Sequence, residues 1–315
     1  MLRTIRGALT LIRPPQWIKN VFVFAGLVFG AKLADLDAVR DAVTAFVIFC
    51  ALSGAVYAFN DVLDAAEDAH HPTKKKRPIP AGLVSRHAAL LLAAGLAILG
   101  SIAGWTLLPQ TFFFTAMAYL GLNLFYTLWG KHRVLLDVIL IAIGFVLRAL
   151  AGAEAVQVEV SVWLVICTFT LCLFLGFGKR RCELAVIQDP EKAASHRQTL
   201  LFYTPTLLTQ LLATTGGIAV ITFLLYTLDP NAPARAMVFT TPLVVYAVFR
   251  YAMVIEQGRL TGPTDVLIKD RPFLFTAVIW TILSLLLLYR GDRIEEYLPQ
   301  LRYPGDQPAA RAIGE

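Results

Sequence analysis

The sequence predicts an all-α, polytopic membrane protein with nine transmembrane helices, and three observations carry that prediction. Of its 315 residues, 57% are apolar or aromatic and only 16% are charged. Soluble domains sit near about 45–50% apolar, on a set that counts glycine but not tyrosine, and about 25% charged. Mean hydropathy is +0.65. The apolar residues also gather into runs close to the roughly 20 residues that cross hydrocarbon as a helix. A disordered chain, a coiled coil and a DNA-binding domain all fit these numbers poorly, because too little polar surface remains. The expected partner is therefore the bilayer and not nucleic acid. A net charge of +6 persists even so, and the basic excess must lie in the loops.

The first expected span, 17–31, is short and is followed by Lys32. Arg3, Arg6, Arg13 and Lys19 precede or open it, as in a signal peptide. No clean small-x-small cleavage pattern follows, however, and Trp17 reads as an interfacial anchor. It is kept as a span. The remaining eight are 41–59, 88–108, 111–129, 134–152, 161–178, 206–228, 237–255 and 272–289. Cys50, Cys167, Cys172 and Cys182 fall in or beside these runs without metal-ligand spacing, and read as small core residues.

Lysine and arginine orient the bundle. With a cytoplasmic N-terminus, 19 of the 28 basic residues fall in inside segments and only seven outside or in the C-terminal tail. Such a bias marks the cytoplasmic side. The inside loops 60–87, 179–205 and 256–271 are also long and rich in both charge signs, which is where function is expected. Residues 1–290 read as one catalytic transmembrane domain with a polar cavity toward the cytoplasm. The Pro- and charge-rich residues 291–315 read as a non-cytoplasmic tail.

The most specific feature is the run Asn60-Asp61-Val62-Leu63-Asp64-Ala65-Ala66-Glu67-Asp68 at the inner end of the second span. At 100° per residue, Asp61, Asp64 and Asp68 share one helical face. Like charges so placed repel unless a cation sits among them. Hard oxygen ligands of this kind suit Mg²⁺, with Asn60 as a fourth donor. Downstream comes His70-His71-Pro72-Thr73-Lys74-Lys75-Lys76-Arg77-Pro78-Ile79-Pro80-Ala81-Gly82, whose Lys74 and Arg77 are candidate phosphate ligands. Lys75 and Lys76 are equally well read as topological charge.

These two motifs together resemble the UbiA superfamily of intramembrane prenyltransferases. The resemblance implies a nine-helix bundle in which Mg²⁺ at two acidic motifs holds a prenyl diphosphate. The second motif departs from that pattern: Gly178-Lys179-Arg180-Arg181-Cys182-Glu183-Leu184 has one carboxylate among three cations. With Arg13-Pro14-Pro15-Gln16-Trp17-Ile18-Lys19-Asn20 and Asp270-Arg271-Pro272, it is similar to the polyprenyl-phosphate phosphoribosyltransferases of arabinan precursor synthesis. Tyr126 with Lys131, the Gly144–Arg148 run and His196-Arg197 also sit where that subfamily would place them. The likeness covers about residues 10–290 and implies a bacterial plasma-membrane enzyme.

What the resemblance implies agrees with simple chemistry. Phosphoribosyl pyrophosphate carries a diphosphate on one carbon and a 5-phosphate on another, so it calls for one metal site and one basic, metal-free site. Asn60, Asp61, Asp64 and Asp68 supply the first, and Lys179, Arg180 and Arg181 the second. A polyprenyl phosphate from the bilayer would attack the anomeric carbon, Mg²⁺ drawing charge from the departing pyrophosphate. Glu183 orients a cation or the ribose hydroxyls, or simply pairs with Arg180. Arg148, deep in an apolar span, demands a partner or a cavity. Lys19, Asn20, Tyr126, Lys131, Arg197 and Asp270 complete the expected substrate contacts, although Asp270 could equally form a local ion pair. Two rivals remain: an aromatic or quinone prenyltransferase, against which the altered second motif argues, and a cation-coupled transporter, whose site should lie nearer the midplane. A homo-oligomer is compatible with all three.

Overall fold

The computed structural model describes residues 2–70, 74–186, 198–229, 235–258 and 262–297. Helix α1 (Leu2–Leu11) precedes a 3₁₀ helix over Pro14–Phe24, which runs into the short α2 (Ala25–Phe29). Then come α3 (Leu36–Leu63), the short α4 (Ala65–His70), α5 (Arg86–Leu107), α6 (Gln110–Leu128), α7 (Leu136–Ala155) and α8 (Val162–Val186). The chain ends in α9 (Pro205–Thr227), α10 (Thr241–Glu256), the short α11 (Pro263–Lys269) and α12 (Arg271–Tyr297). No strand occurs among the described residues.

Helix starts follow capping chemistry. Asp35 accepts from the backbone N–H groups of Asp37 and Ala38 at the head of α3, and Ser85 from that of Ala88 at the head of α5. Thr204 accepts from Leu207 N–H at the head of α9, where Pro205 takes the first turn. Asp270 does the same for α12, accepting from Phe273 N–H at 2.9 Å.

Eight helices among the described residues are long and apolar enough to cross a membrane: α3, α5, α6, α7, α8, α9, α10 (with the 3₁₀ turn before it) and α12. The ninth expected helix, 17–31, is corrected. The chain there forms the 11-residue 3₁₀ helix Pro14–Phe24 and a five-residue α-helix instead of one long α-helix. The two ends of this segment nevertheless reach opposite ends of the bundle. Arg13 meets Asp61 near the end of α3, and the backbone N–H of Leu33 donates to the hydroxyl of Tyr289, late in α12. Pitch explains the economy. At about 2.0 Å per residue the 3₁₀ part covers about 22 Å and α2 adds about 7 Å, together close to the roughly 30 Å of a hydrocarbon core. Packing holds this thin segment in place: a Cβ at Gly152 would overlap the carbonyl of Val23, and one at Gly26 the backbone of Ala153.

Two cores organise the bundle. Phe49, Phe112 and Tyr119 centre the first, where α3, α6 and α7 meet, and Phe174, Tyr251 and Leu212 the second, among α8, α9 and α10. Ring contacts at 5.0 Å (Phe49–Tyr119) and 4.9 Å (Phe174–Tyr251) lock each. Leu91, Phe249 and Phe275 lie exposed on outer faces, as a bundle in contact with lipid requires. Between the halves lies a cavity of about 570 Å³ lined by apolar side chains such as Phe22, Phe24, Leu150, Leu164 and Trp280. All four cysteines are free, three of them buried, as expected for core residues.

Candidate active site

The charged residues of the two motifs collect at one end of the bundle and form two poles, while a separate set (Lys32, Asp35, Asp37, Arg40 and Asp41) pairs at the other end of α3. The first is built on the C-terminal end of α3. That end is the negative end of a helix dipole, so carboxylates there are electrostatically unfavourable without counterions. The expected continuous helical face is interrupted: α3 stops at Leu63, Asp64 caps it with ψ −4°, and α4 begins at Ala65. Backbone bonds from Asp64 N–H to Asn60 and from Asp68 N–H to Asp64 keep the turn close to helical.

Three separate segments deliver cations to this pole. Asp61, 2% exposed, pairs with Arg13 and, at 3.2 Å, with Arg77. The same Nη1 of Arg77 reaches Asp68 at 2.6 Å, so Asp61 and Asp68 converge on one guanidinium. Asp64 turns the other way, accepting from Lys131 Nζ at 2.6 Å and from Asn60 Nδ2 at 3.1 Å. Arg13 is the unexpected member. Its backbone is left-handed (φ 50°, ψ 62°), a cost that a non-glycine residue accepts where tertiary contacts enforce it, and its guanidinium also lies over the ring of Tyr57.

The second pole sits at the C-terminal end of α8, where cations suit the dipole. Each has a carboxylate partner. Arg180 pairs with Glu183 and stands 3.4 Å from Asp137 in the first turn of α7; Arg181 pairs with Glu256 of α10 at 3.0 Å; Lys179 lies 3.8 Å from Glu183. The basic site expected at 179–181 is thus charge-compensated. Lys19 differs. It is exposed, has Lys179, Arg148 and Arg13 as electrostatic neighbours, and meets no carboxylate at ion-pair distance among the described residues. Repulsion of this kind is relieved by a bound anion.

The other expected residues divide. Arg148, 6% exposed, donates to Asn20 at 3.0 Å, to Gly144 at 3.0 Å and to the Tyr119 hydroxyl at 2.7 Å, with its guanidinium over the Tyr119 and Phe145 rings. Asn20 in turn donates to Ser53 at 3.1 Å. These two side chains tie the 3₁₀ segment to α3, α6 and α7. Asp270 joins Arg250 through two bonds, at 3.0 and 2.7 Å, rather than its neighbour Arg271, and this pairing holds its carboxyl below the usual range. Lys74 and Tyr126 lie half-buried at the same end of the bundle. Arg197 falls outside the described residues.

The UbiA prenyltransferase family profile matches residues 20–277. The chain belongs to this family. Within it, the decaprenyl-phosphate phosphoribosyltransferase of Mycolicibacterium smegmatis is 31% identical over 295 residues, covering 88% of this chain and 92% of the relative. The enzyme of the same name from Corynebacterium glutamicum is 31% identical over 293 residues, covering 90% and 87%. A UbiA homolog from Archaeoglobus fulgidus bound to GPP and Mg²⁺ shares the fold, with a TM-score of 0.70 at 20% identity over 90% of this chain and 99% of that one. The protein is therefore a multi-pass membrane member of a transferase family.

The donor set at the first pole fits a divalent cation chemically. Asn60, Asp61, Asp64 and Asp68 are hard oxygen ligands crowded at a negative helix end. In this arrangement their charge is met by Arg13, Arg77 and Lys131, and no three carboxylate, histidine or cysteine side chains converge as a metal cluster among the described residues. Sequence reasoning missed Arg13, Asp137, Tyr203 and Glu256 as parts of the site. Only Arg13 carried a signal, its place just before Pro14-Pro15 in the motif already singled out.

Proposed function

We propose that this UbiA-family protein transfers 5-phosphoribose from phosphoribosyl pyrophosphate to a polyprenyl phosphate of decaprenyl type, releasing pyrophosphate. The observation that carries the reading is the contrast of poles. One end of the site offers an oxygen-donor cluster from a single stretch of chain, whereas the carboxylates of the other end, Asp137, Glu183 and Glu256, are each paired with an arginine and leave Lys179 and Lys19 as its exposed cations. A donor with two separate anionic groups needs that arrangement, whereas a prenyl diphosphate has a single charged end. The names of the relatives from M. smegmatis and C. glutamicum support the same choice.

Mg²⁺, held by Asn60, Asp61, Asp64 and Asp68 when bound, would supply Lewis-acid withdrawal of charge from the leaving pyrophosphate. Arg13, Arg77 and Lys131, already at these carboxylates, provide the cationic surround for the diphosphate. Lys19 and Lys179 receive the 5-phosphate. The anomeric C–O bond to pyrophosphate breaks as a new bond forms from an oxygen of the lipid phosphate, with oxocarbenium character developing on the ribose. That phosphate is already anionic near neutral pH, so no strong base is required. The apolar cavity, lined by Val21 and Phe22 next to Asn20 and by Phe273 close to Asp270, suits the polyprenyl chain. We read residues 1–290 as the catalytic unit in the plasma membrane, with both poles toward the cytoplasm, where the soluble donor is made.

Purified protein in detergent, given labelled phosphoribosyl pyrophosphate, decaprenyl phosphate and Mg²⁺, is expected to yield labelled lipid. Absence of product, together with turnover of an isoprenyl diphosphate and an aromatic acceptor, would overturn the reading.

A further inference from the structure

A carboxylate that belongs to neither motif joins the two helices at the cationic pole. Asp137 is fully buried in the first turn of α7, and a buried carboxylate is tolerated only when paired and hydrogen-bonded. Its Oδ1 accepts from the Tyr203 hydroxyl at 3.1 Å, and its Oδ2 stands 3.4 Å from Nε of Arg180. The same Tyr203 hydroxyl accepts from the backbone N–H of Leu135 at 2.8 Å. Burial and the neighbouring Asp137 push the phenol well above its usual range, so Tyr203 remains a donor to the carboxylate at any working pH.

On its other edge, Arg180 donates through Nη1 to Glu183. A guanidinium is a planar fork, and partners on two edges set its orientation. The consequence shows in two adjacent residues: the Arg180 side chain is 3% exposed, that of Lys179 51%. One cation is turned into the bundle and the next toward solvent.

We propose that Asp137 is the positioning residue of the cationic pole: it holds Arg180 inward from α7, with Tyr203 fixing the carboxylate, and so sets Lys179 to meet the phosphate of the sugar donor. This rests on the phosphoribosyl reading above and adds to it. Asp137 touches no substrate; it acts through Arg180.

The test uses the full chain in detergent and four proteins: wild type, Asp137→Asn, Arg180→Gln and the double variant. Asp137→Asn keeps the size and the acceptor for Tyr203 but removes the charge. The apparent KM for phosphoribosyl pyrophosphate is expected to rise about tenfold, the scale of one lost close charge pair, with the KM for polyprenyl phosphate unchanged. The double variant should be no worse than Arg180→Gln alone, because both changes break one linkage. Tyr203→Phe should shift the same KM in the same direction by less, and it decides by the same criteria if Asp137→Asn does not fold. An unchanged donor KM with only a lower melting temperature would overturn the proposal, as would effects that multiply in the double variant. If wild type turns over no phosphoribosyl pyrophosphate, the underlying reading fails and takes this inference with it. An active wild type with an indifferent Asp137→Asn removes this inference alone.

Discussion

The two poles of the site are mirror images in charge and opposites in electrostatic origin. At the end of α3, three carboxylates from one stretch of chain meet cations brought by the N-terminal segment, the 74–77 turn and the α6–α7 connection. At the end of α8, three cations from one stretch meet carboxylates from α7, α8 and α10. The helix dipole opposes the first arrangement and favours the second. A negative helix end loaded with aspartates is thus primed to take up positive charge, from basic side chains or from a divalent ion. The cations of the α8 end already have carboxylate partners, so on the proposed reading its contribution to ligand binding falls to the exposed Lys179 and to Lys19 nearby.

If that contrast is right, breaking the acidic pole should cost the most. Asp64→Ala is expected to lower turnover about a thousandfold, equivalent to about 4 kcal/mol in the transition state, while the protein still folds, because Asp64 and Lys131 both reach solvent. Near wild-type rates in a labelled-lipid assay would remove the metal-site argument. Gly152→Ala attacks the same pole indirectly: the added methyl displaces the 3₁₀ segment that carries Lys19 and follows directly on Arg13. Packing strain of about 1–3 kcal/mol should appear as a lower melting temperature in detergent, together with reduced activity.

Changes at the cationic pole should be milder and more selective. Lys179→Ala is expected to raise the donor KM about tenfold, the scale of one phosphate contact, and to leave the lipid KM alone; an unchanged donor affinity would count against its role. The smallest effect belongs to Asp270→Asn, which keeps an N-cap acceptor but removes the charge from an ion pair outside both poles. Arg250 holds the Asp270 carboxyl below its usual range. Its stabilisation is therefore fully present above the unfolded value of about 4 and is lost as pH falls through the lower folded value. The melting-temperature gap between wild type and variant should stay constant from pH 7 to about 5 and close only in stronger acid. A gap that widened on acidification would contradict the assigned pairing.

Motif residues close in sequence were readable because local geometry places them together. Lys179 to Glu183 needed only a single turn, and Asp61 and Asp68 a near-helical period that survives the break at Asp64, although Asp64 itself turns toward Lys131. Their partners were not, because they lie far away in sequence: 48 residues separate Arg13 from Asp61, 66 separate Asp137 from Tyr203, and 75 separate Arg181 from Glu256. The pitch of the first segment was equally hidden. Apolar content sets whether a run can enter lipid but not its rise per residue, which here follows from close backbone packing on Gly152 and from the Asn20–Arg148 bond. Arg148 shows the same limit: its burial cost demanded a partner, and folding chose Asn20, Tyr119 and Gly144.

The sequence by itself determined the membrane-spanning material, the gathering of charge into a few loops, and the two motifs that mark the family. These follow from transfer free energy and helical periodicity, both properties of short stretches of chain. Only the tertiary structure decided which charges neutralise which. It spent Arg180 and Arg181 on carboxylates, left Lys19 among like charges, and brought Arg13 to Asp61. The physical reason is that ion pairs depend on distances of a few ångströms between segments that only the packed bundle brings together.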